Sequence, residues 1–380
     1  MQNILCFSHL HWDFVYQRPQ HLLTRFAQQN RVLYFEEPRN GNADFYEIDL
    51  QDGVSIIKIF INDEEENRNQ RLEKLINNVI EDQNIKTYSC WYYTPMALEY
   101  TSHLTPQITI YDSMDELSAF RFAPPQLLDL ENELFKKADV VFTGGHTLYQ
   151  AKKDRHHNIH PFPSSIDKSH FQKARINKID AEDQKHIPNP RFGFYGVIDE
   201  RFDIELLREV SAQRPDWHFV IIGPVVKIDV NELPRAENIH YLGSKKYSEL
   251  PDYISHWDIA LVLFAINEST EFISPTKTPE YLSAGLPVIS TPIKDVVKPY
   301  GEANLVYIAD NAETFIAYAE EELVKDSKKE WLAKVDDYLA DESWDNTFEK
   351  MNQLINNVKK NYGIYVWFFN YRLRIRRIGL

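Results

Sequence analysis

The stretch E-F-I-S-P-T-K-T-P-E-Y-L-S-A-G-L-P-V-I-S-T-P, residues 271–292, decides how the rest of the chain is organised. It reads as loop, short helix, glycine stop and buried strand. Ser274 fits an N-cap, with Pro275 at the first helical position, where a missing N–H costs nothing. Gly285 fits the position just past the helix end. Val288 to Ser290 is short and β-branched, as a strand of a covered sheet is. Backbone N–H groups at the helix start, with Lys277 one turn in, suit a phosphate. Glu280 lies three residues on, on the same helix face. One cation and one carboxylate so placed could hold a diphosphate and a ribose hydroxyl pair. The plainer alternative is a surface Lys–Glu pair. Pro279 removes one helical hydrogen bond unless the helix starts later than Pro275.

Outward from this stretch, strands and helices alternate. Asn3 to Ser8 is a first buried strand, and His9 to Pro19 a loop. A helix covers about Gln20 to Gln29, and a second strand Arg31 to Glu36. That order implies a parallel pair with a right-handed crossover. Ligands in such sheets bind beyond the carboxyl ends of the strands, where His9, His11, Trp12, Asp13 and Arg18 fall. The alternative is that Trp12 and Phe14 plug the loop and the histidines are solvated. Val54 to Ile61 reads as a strand or hairpin arm, and Gln70 to Gln83 as a helix. Ile108 to Tyr111 is a strand leading to Asp112 and Asp115. Those two acids cap the next helix in the simplest reading, and bind a metal or a sugar hydroxyl in the other. Gly144-Gly145-His146 is a tight turn into a helix, where backbone can approach a ligand.

Residues 173–190 are polar, charged and proline-ended, and read as a linker. A second α/β set follows. Arg191 to Tyr195 is a strand ending at Gly196, Ile204 to Gln213 a helix, and Trp217 to Ile222 a strand ending at Gly223. Arg201 lies past a strand end, as Lys277 does. The two cations converge on one diphosphate, or Arg201 pairs locally with Asp199 or Asp203.

Composition narrows the function. At 380 residues the chain is long enough for two full cores. A net charge of −15 argues against nucleic acid as a partner. Two cysteines, Cys6 and Cys90, sit in apolar runs, so no disulfide framework is expected, and a reducing cytoplasm is the simple location. The N-terminus lacks a basic region and a long apolar run, so no signal peptide is expected, and no window reaches about 18 apolar residues, so no spanning helix is expected. Residues 351–380 carry six basic residues and no acid, interleaved with Trp367, Phe368, Phe369 and Tyr371. Such a segment, 359–380 above all, touches an anionic membrane or packs back on the first domain.

These residues carry a family likeness. F-P-S-S-I-D-K-S-H-F (162–171), N-I-H-Y-L-G (238–243), L-P-D-Y-I-S-H-W-D-I-A-L-V (250–262) and P-E-Y-L-S-A-G-L-P-V-I-S-T (279–291) resemble two-domain GT-B glycosyltransferases of the retaining, family 4-like group. F-S-H-L-H-W-D-F-V-Y-Q-R-P-Q-H-L (7–22), Y-D-S-M-D-E-L-S-A-F (111–120), F-Y-G-V-I-D-E-R-F-D (194–203) and I-S-P-T-K-T-P-E-Y (273–281) are similar to bacterial glycosyltransferases found alone or fused to UDP-galactopyranose mutase. The resemblance covers nearly the whole chain and implies an α/β, GT-B fold with two Rossmann-like domains around a cleft. The first, acceptor-side domain would be 1–172, the linker 173–190 and the nucleotide-sugar domain 191–345. Residues 346–380 would be a C-terminal helix returning to the first domain, with the basic tail.

The resemblance also implies roles. Gly196, Arg201, Gly223, Ser274, Pro275, Thr276, Lys277 and Glu280 would bind the donor, a nucleotide-diphosphate sugar with UDP favoured. Glu280 would take the ribose hydroxyls. Arg201 and Lys277 would neutralise the departing diphosphate, with Asp112, Asp115 and Glu271 near the reacting sugar. His9, His11, Trp12, Asp13, Arg18 and His146 would face the acceptor, a glycan or lipid-linked glycan of surface polysaccharide synthesis. No metal and no cofactor are expected. Eight residues separate Glu271 from Glu280 where the group has seven, and H-L-H-W-D replaces the group's N-terminal glycine-rich loop. Alanine at Lys277 or Arg201 is expected to lower turnover with little loss of fold.

Overall fold

Short apolar, β-branched and aromatic runs close into two separate parallel sheets, because each run is buried on both faces and helices must cover them. The computed structural model describes residues 2–359. The basic aromatic residues 360–380 lie outside it, and with them most of the proposed membrane segment.

The first sheet contains β1 (Asn3–Phe7), β2 (Arg31–Phe35), β3 (Arg39–Asn40), β4 (Phe45–Gln51), β5 (Val54–Ile61), β6 (Tyr88–Tyr92), β7 (Thr109–Ser113), β8 (Val140–Thr143) and β9 (Ile159–Pro161). Their order is β3-β5-β2-β1-β6-β7-β8-β9. All pairs are parallel except the hairpin in which β4 lies antiparallel on β5. The second sheet contains β10 (Arg191–Tyr195), β11 (His218–Ile222), β12 (Ile239–Gly243), β13 (Ile259–Val262), β14 (Val288–Ser290) and β15 (Tyr307–Ile308), in the order β12-β11-β10-β13-β14-β15. Strand order reverses between β1 and β6 in one lobe and between β10 and β13 in the other. Crevices open beyond the carboxyl ends of strands at such reversals.

Residues 344–359 form a helix whose Trp344, Phe348, Met351 and Ile355, spaced three or four apart, pack with Ile4, Leu22 and Phe26 of the first lobe. Asp345 pairs with Arg25 at 2.6 Å, and Trp344 stacks on His21 with ring centres 4.6 Å apart. The C-terminal helix thus returns to the first lobe. Residues 173–190 lie on the second lobe: Ala174 and Ile187 join its core, Gln184 is buried against Tyr253 and Trp257, and Asp180 pairs with Arg191 at 2.9 Å. Among the described residues no helix is long and apolar enough to cross a membrane.

Contacts at several points tie the lobes together. The Asp295 carboxylate accepts from the backbone N–H of His146 (2.8 Å) and Thr147 (3.0 Å) and from the Thr147 hydroxyl. Gly145 is required beside it, since a Cβ there would stand 2.4 Å from Asp295 Oδ2. Tyr16 stacks on Tyr247 with ring centres 4.5 Å apart, and Tyr247 stacks in turn on His170. The Arg121 N–H donates to Glu200 Oε1 at 3.2 Å.

Candidate active site

The helix carrying Lys277 starts where proline allows. It spans Lys277–Ser283 with Thr276 as its N-cap, so Pro279 sits in the first turn, where no N–H partner is lost. Ser274 and Pro275 belong to the preceding loop, a correction to the N-cap expected at Ser274. Gly285 takes φ +78° after the helix, as the glycine stop requires.

All eight donor-side residues line one cleft of about 670 Å³ between the lobes: Gly196, Arg201, Gly223, Ser274, Pro275, Thr276, Lys277 and Glu280. Gly196 and Gly223 are there because the chain is crowded. A Cβ on Gly196 would fall 2.2 Å from Lys277 Cε, and one on Gly223 only 1.8 Å from the Gly196 carbonyl oxygen. The Lys277 ammonium sits over the rings of Phe194 (5.5 Å) and Phe264 (5.4 Å). Burial pushes it down to about 8, with nearby Arg201 acting the same way and Glu280 opposing. Burial likewise pushes the Glu280 carboxyl up to about 8, against the Tyr195 hydroxyl and Lys277. The plain surface pair is therefore not what forms, because Glu280 is buried and Lys277 half-buried within the cleft.

Arg201 satisfies both readings of its neighbourhood. Its Nη2 meets Asp199 Oδ2 at 2.6 Å and its Nε meets both carboxylate oxygens, while the residue still lines the cleft. Its guanidinium also lies 4.9 Å from the ring of Phe120, which reaches across from the first lobe. Lys227 faces the same ring at 5.3 Å.

The first-lobe residues divide. Trp12, Asp13, Arg18 and Asp115 line the cleft. Asp115 is raised by burial and drawn back mainly by Arg201, then Arg18, so the cations of both lobes reach it. Asp112 is fully buried and paired with Arg18 Nη2 at 2.9 Å, and Arg18 Nη1 donates to the Phe162 carbonyl at 2.7 Å. It neither caps a helix nor lines the cleft. Burial pushes the Asp112 carboxyl up while the guanidinium pulls it back. Glu271 is exposed and paired with Lys294 at 2.6 Å, outside the cleft. His9, His11 and His146 are also not among the lining residues. His9 is held neutral, at about 4, by burial and then by Lys227, with its Nδ1 unpartnered. His146 contributes its backbone N–H to Asp295.

Tyr195, Tyr247, Phe120 and Asp295 were not singled out from the sequence. Phe120 closes the Y-D-S-M-D-E-L-S-A-F motif, which was the one signal for it. Among the described residues, no group of three His, Cys, Asp or Glu is arranged to hold a metal ion.

Two parallel sheets facing one another across a cleft, each with its crevice at a strand-order reversal and with a C-terminal helix returning to the first lobe, constitute the GT-B fold. Residues 190–326, most of the second lobe, match the family described as Glycosyl transferases group 1. A Bacillus subtilis (strain 168) protein named as a candidate teichuronic acid biosynthesis glycosyltransferase, TuaH, is 30% identical over 135 residues, 34% of each chain. The match thus spans about a third of that relative's length. Among solved structures, sucrose-phosphate synthase from Thermosynechococcus elongatus aligns over 98% of this chain and 100% of its own, with a TM-score of 0.65 at 14% identity. An E. coli trehalose-6-phosphate structure bound with UDP-2-fluoro glucose aligns over 94% of this chain and 99% of its own, with a TM-score of 0.67 at 11% identity.

Proposed function

We propose that the chain is a glycosyltransferase that moves a hexose from a nucleotide-diphosphate sugar to a hydroxyl of a glycan or lipid-linked glycan, with retention at the anomeric carbon. The observation that carries this reading is the convergence of Arg201, from a loop of the second lobe, and Lys277, from the start of a helix there, on one cleft that Asp115 enters from the first. Two half-buried cations stabilise the charge that develops on a departing diphosphate, most strongly where water is excluded. UDP is favoured as the nucleotide, a choice supported by the sequence resemblance and by the ligand named for the E. coli neighbour. Surface polysaccharide synthesis is supported by the name of the B. subtilis relative. The reading puts the enzyme in the cytoplasm, with the basic segment 359–380 drawing it to the anionic inner face of the membrane.

The test is incubation of purified protein with UDP-, GDP- and ADP-hexoses, with and without glycan acceptors, following donor hydrolysis and transfer. NMR of the product's anomeric proton reads the stereochemistry. Nucleotide binding with neither hydrolysis nor transfer would replace the enzyme by a non-catalytic scaffold of a polysaccharide assembly complex.

Protonation supplies a second check. A diphosphate beside Lys277 adds negative charge, which raises the pKa of its ammonium from about 8. Binding near pH 8 is therefore expected to take up protons. Affinity should fall as pH rises through that value, by up to about tenfold per pH unit for each proton. Calorimetric titration with UDP at pH 8 in two buffers of different ionisation enthalpy measures the uptake, and proton release would contradict the site.

A further inference from the structure

Glu280 does not meet the cleft as a free carboxylate. Tyr195, the last residue of β10, donates its hydroxyl to Glu280 Oε2. No other side chain hydrogen-bonds that carboxylate among the described residues, so Oε1 remains available. Tyr195 is itself held on several sides. Its backbone N–H donates to the Tyr281 hydroxyl at 3.0 Å, its ring meets Tyr281 edge-on at 4.9 Å, and Phe171 lies parallel to it at 6.4 Å. Both Tyr195 and Glu280 are buried, at 8% and 4% exposure, yet both line the cleft. A carboxylate with one oxygen engaged by a locked phenol cannot rotate freely, so its second oxygen points one way.

We propose that Tyr195 is a specificity-determining positioning residue, which occupies Oε2 of Glu280 and thereby presents Oε1 to the vicinal diol of the donor's ribose, so that the cleft selects ribonucleotide over deoxyribonucleotide diphosphates. This rests on the donor-site reading above. Each ribose hydroxyl can share a hydrogen bond with Glu280, so loss of a correctly placed diol weakens binding roughly tenfold or more. A phenylalanine keeps the ring and its packing but frees Oε2, which leaves the carboxylate without a fixed direction.

The experiment compares UDP, GDP and ADP on wild-type protein, takes the tightest, and sets it against its 2′,3′-dideoxy analogue. Wild-type protein is expected to prefer the ribonucleotide by roughly tenfold or more. Tyr195→Phe should lose most of that preference while its affinity for the dideoxy analogue stays as in wild type. A merely structural role would weaken both ligands alike and leave the ratio unchanged. Retention of the wild-type ratio by Tyr195→Phe, alongside its loss in Glu280→Ala, overturns the role of Tyr195 and leaves the donor site standing. Absence of any ribose preference in wild type overturns the diol contact. Failure of wild type to bind any of the three diphosphates overturns the donor reading itself.

Discussion

Replacing Lys277 by alanine is expected to lower donor turnover about 10²- to 10³-fold, the usual effect of deleting one preorganised charge at a developing anion. The melting temperature should barely move. Lys277 is half-buried between the Phe194 and Phe264 rings, and desolvation disfavours its charged form there, so its removal ends a desolvation penalty. The neighbour left behind, Glu280, is already pushed toward its neutral form by burial and keeps the Tyr195 hydroxyl. Turnover assays and calorimetry on the purified variant check both halves; wild-type turnover would remove Lys277 from the mechanism. Arg201→Ala is a different experiment. It strips Asp199, whose side chain is only 5% exposed, of its bidentate partner. Breaking a buried pair in this way costs about 3–5 kcal/mol. The expectation from sequence that both alanine variants spare the fold is therefore corrected for Arg201, and Arg201→Lys is the cleaner probe there.

Asp112→Ala should lower stability at least as much as Arg201→Ala, because both side chains of its pair are buried. The substitution leaves the Arg18 guanidinium buried, with one remaining acceptor, the Phe162 carbonyl. The loss is about 3–5 kcal/mol, and the melting temperature should drop by roughly 10 °C for a lobe of this size. Substituting both partners by apolar residues, as in Arg18→Met with Asp112→Leu, should recover most of that drop, because no uncompensated charge is left. Thermal denaturation of the single and double variants decides. If the single variant melts with wild type, the pair is not what holds β7 to the Arg18–Ala27 helix.

The donor half of the site could be read from the sequence because its chemistry is local. Lys277, Glu280, Gly285 and the β-branched strand lie within one short run, and the prolines punctuate it. Helix 204–213 was legible to the residue because Asp203 caps it and its apolar spacing is regular. What could not be read needs long-range contact. Arg18 finds Asp112 94 residues away, and Asp295 finds His146 at a separation of 149. Asp112 looked catalytic because it sits at a strand's carboxyl end, but the cation that claims it comes from a distant helix. Glu271 looked catalytic by its place in a motif, but it is exposed and pairs with Lys294. Strand β4 escaped notice because it is exposed on both faces, so its sequence, F-Y-E-I-D-L-Q, shows no buried stripe. Tyr195 and Tyr247 matter through which polar atoms and rings they meet, and an aromatic residue in a strand or loop carries no pattern that says so.

The two ends of the Asp295 and Tyr16–Tyr247 span are unequal in strength. An aromatic pair adds only about 0.5–1.5 kcal/mol beyond its buried area. A carboxylate accepting from two backbone N–H groups and a hydroxyl holds several times more, at about 1.5–3 kcal/mol for each bond to a charged group. A force that parts the lobes is therefore expected to separate the facing tyrosines before it frees Asp295.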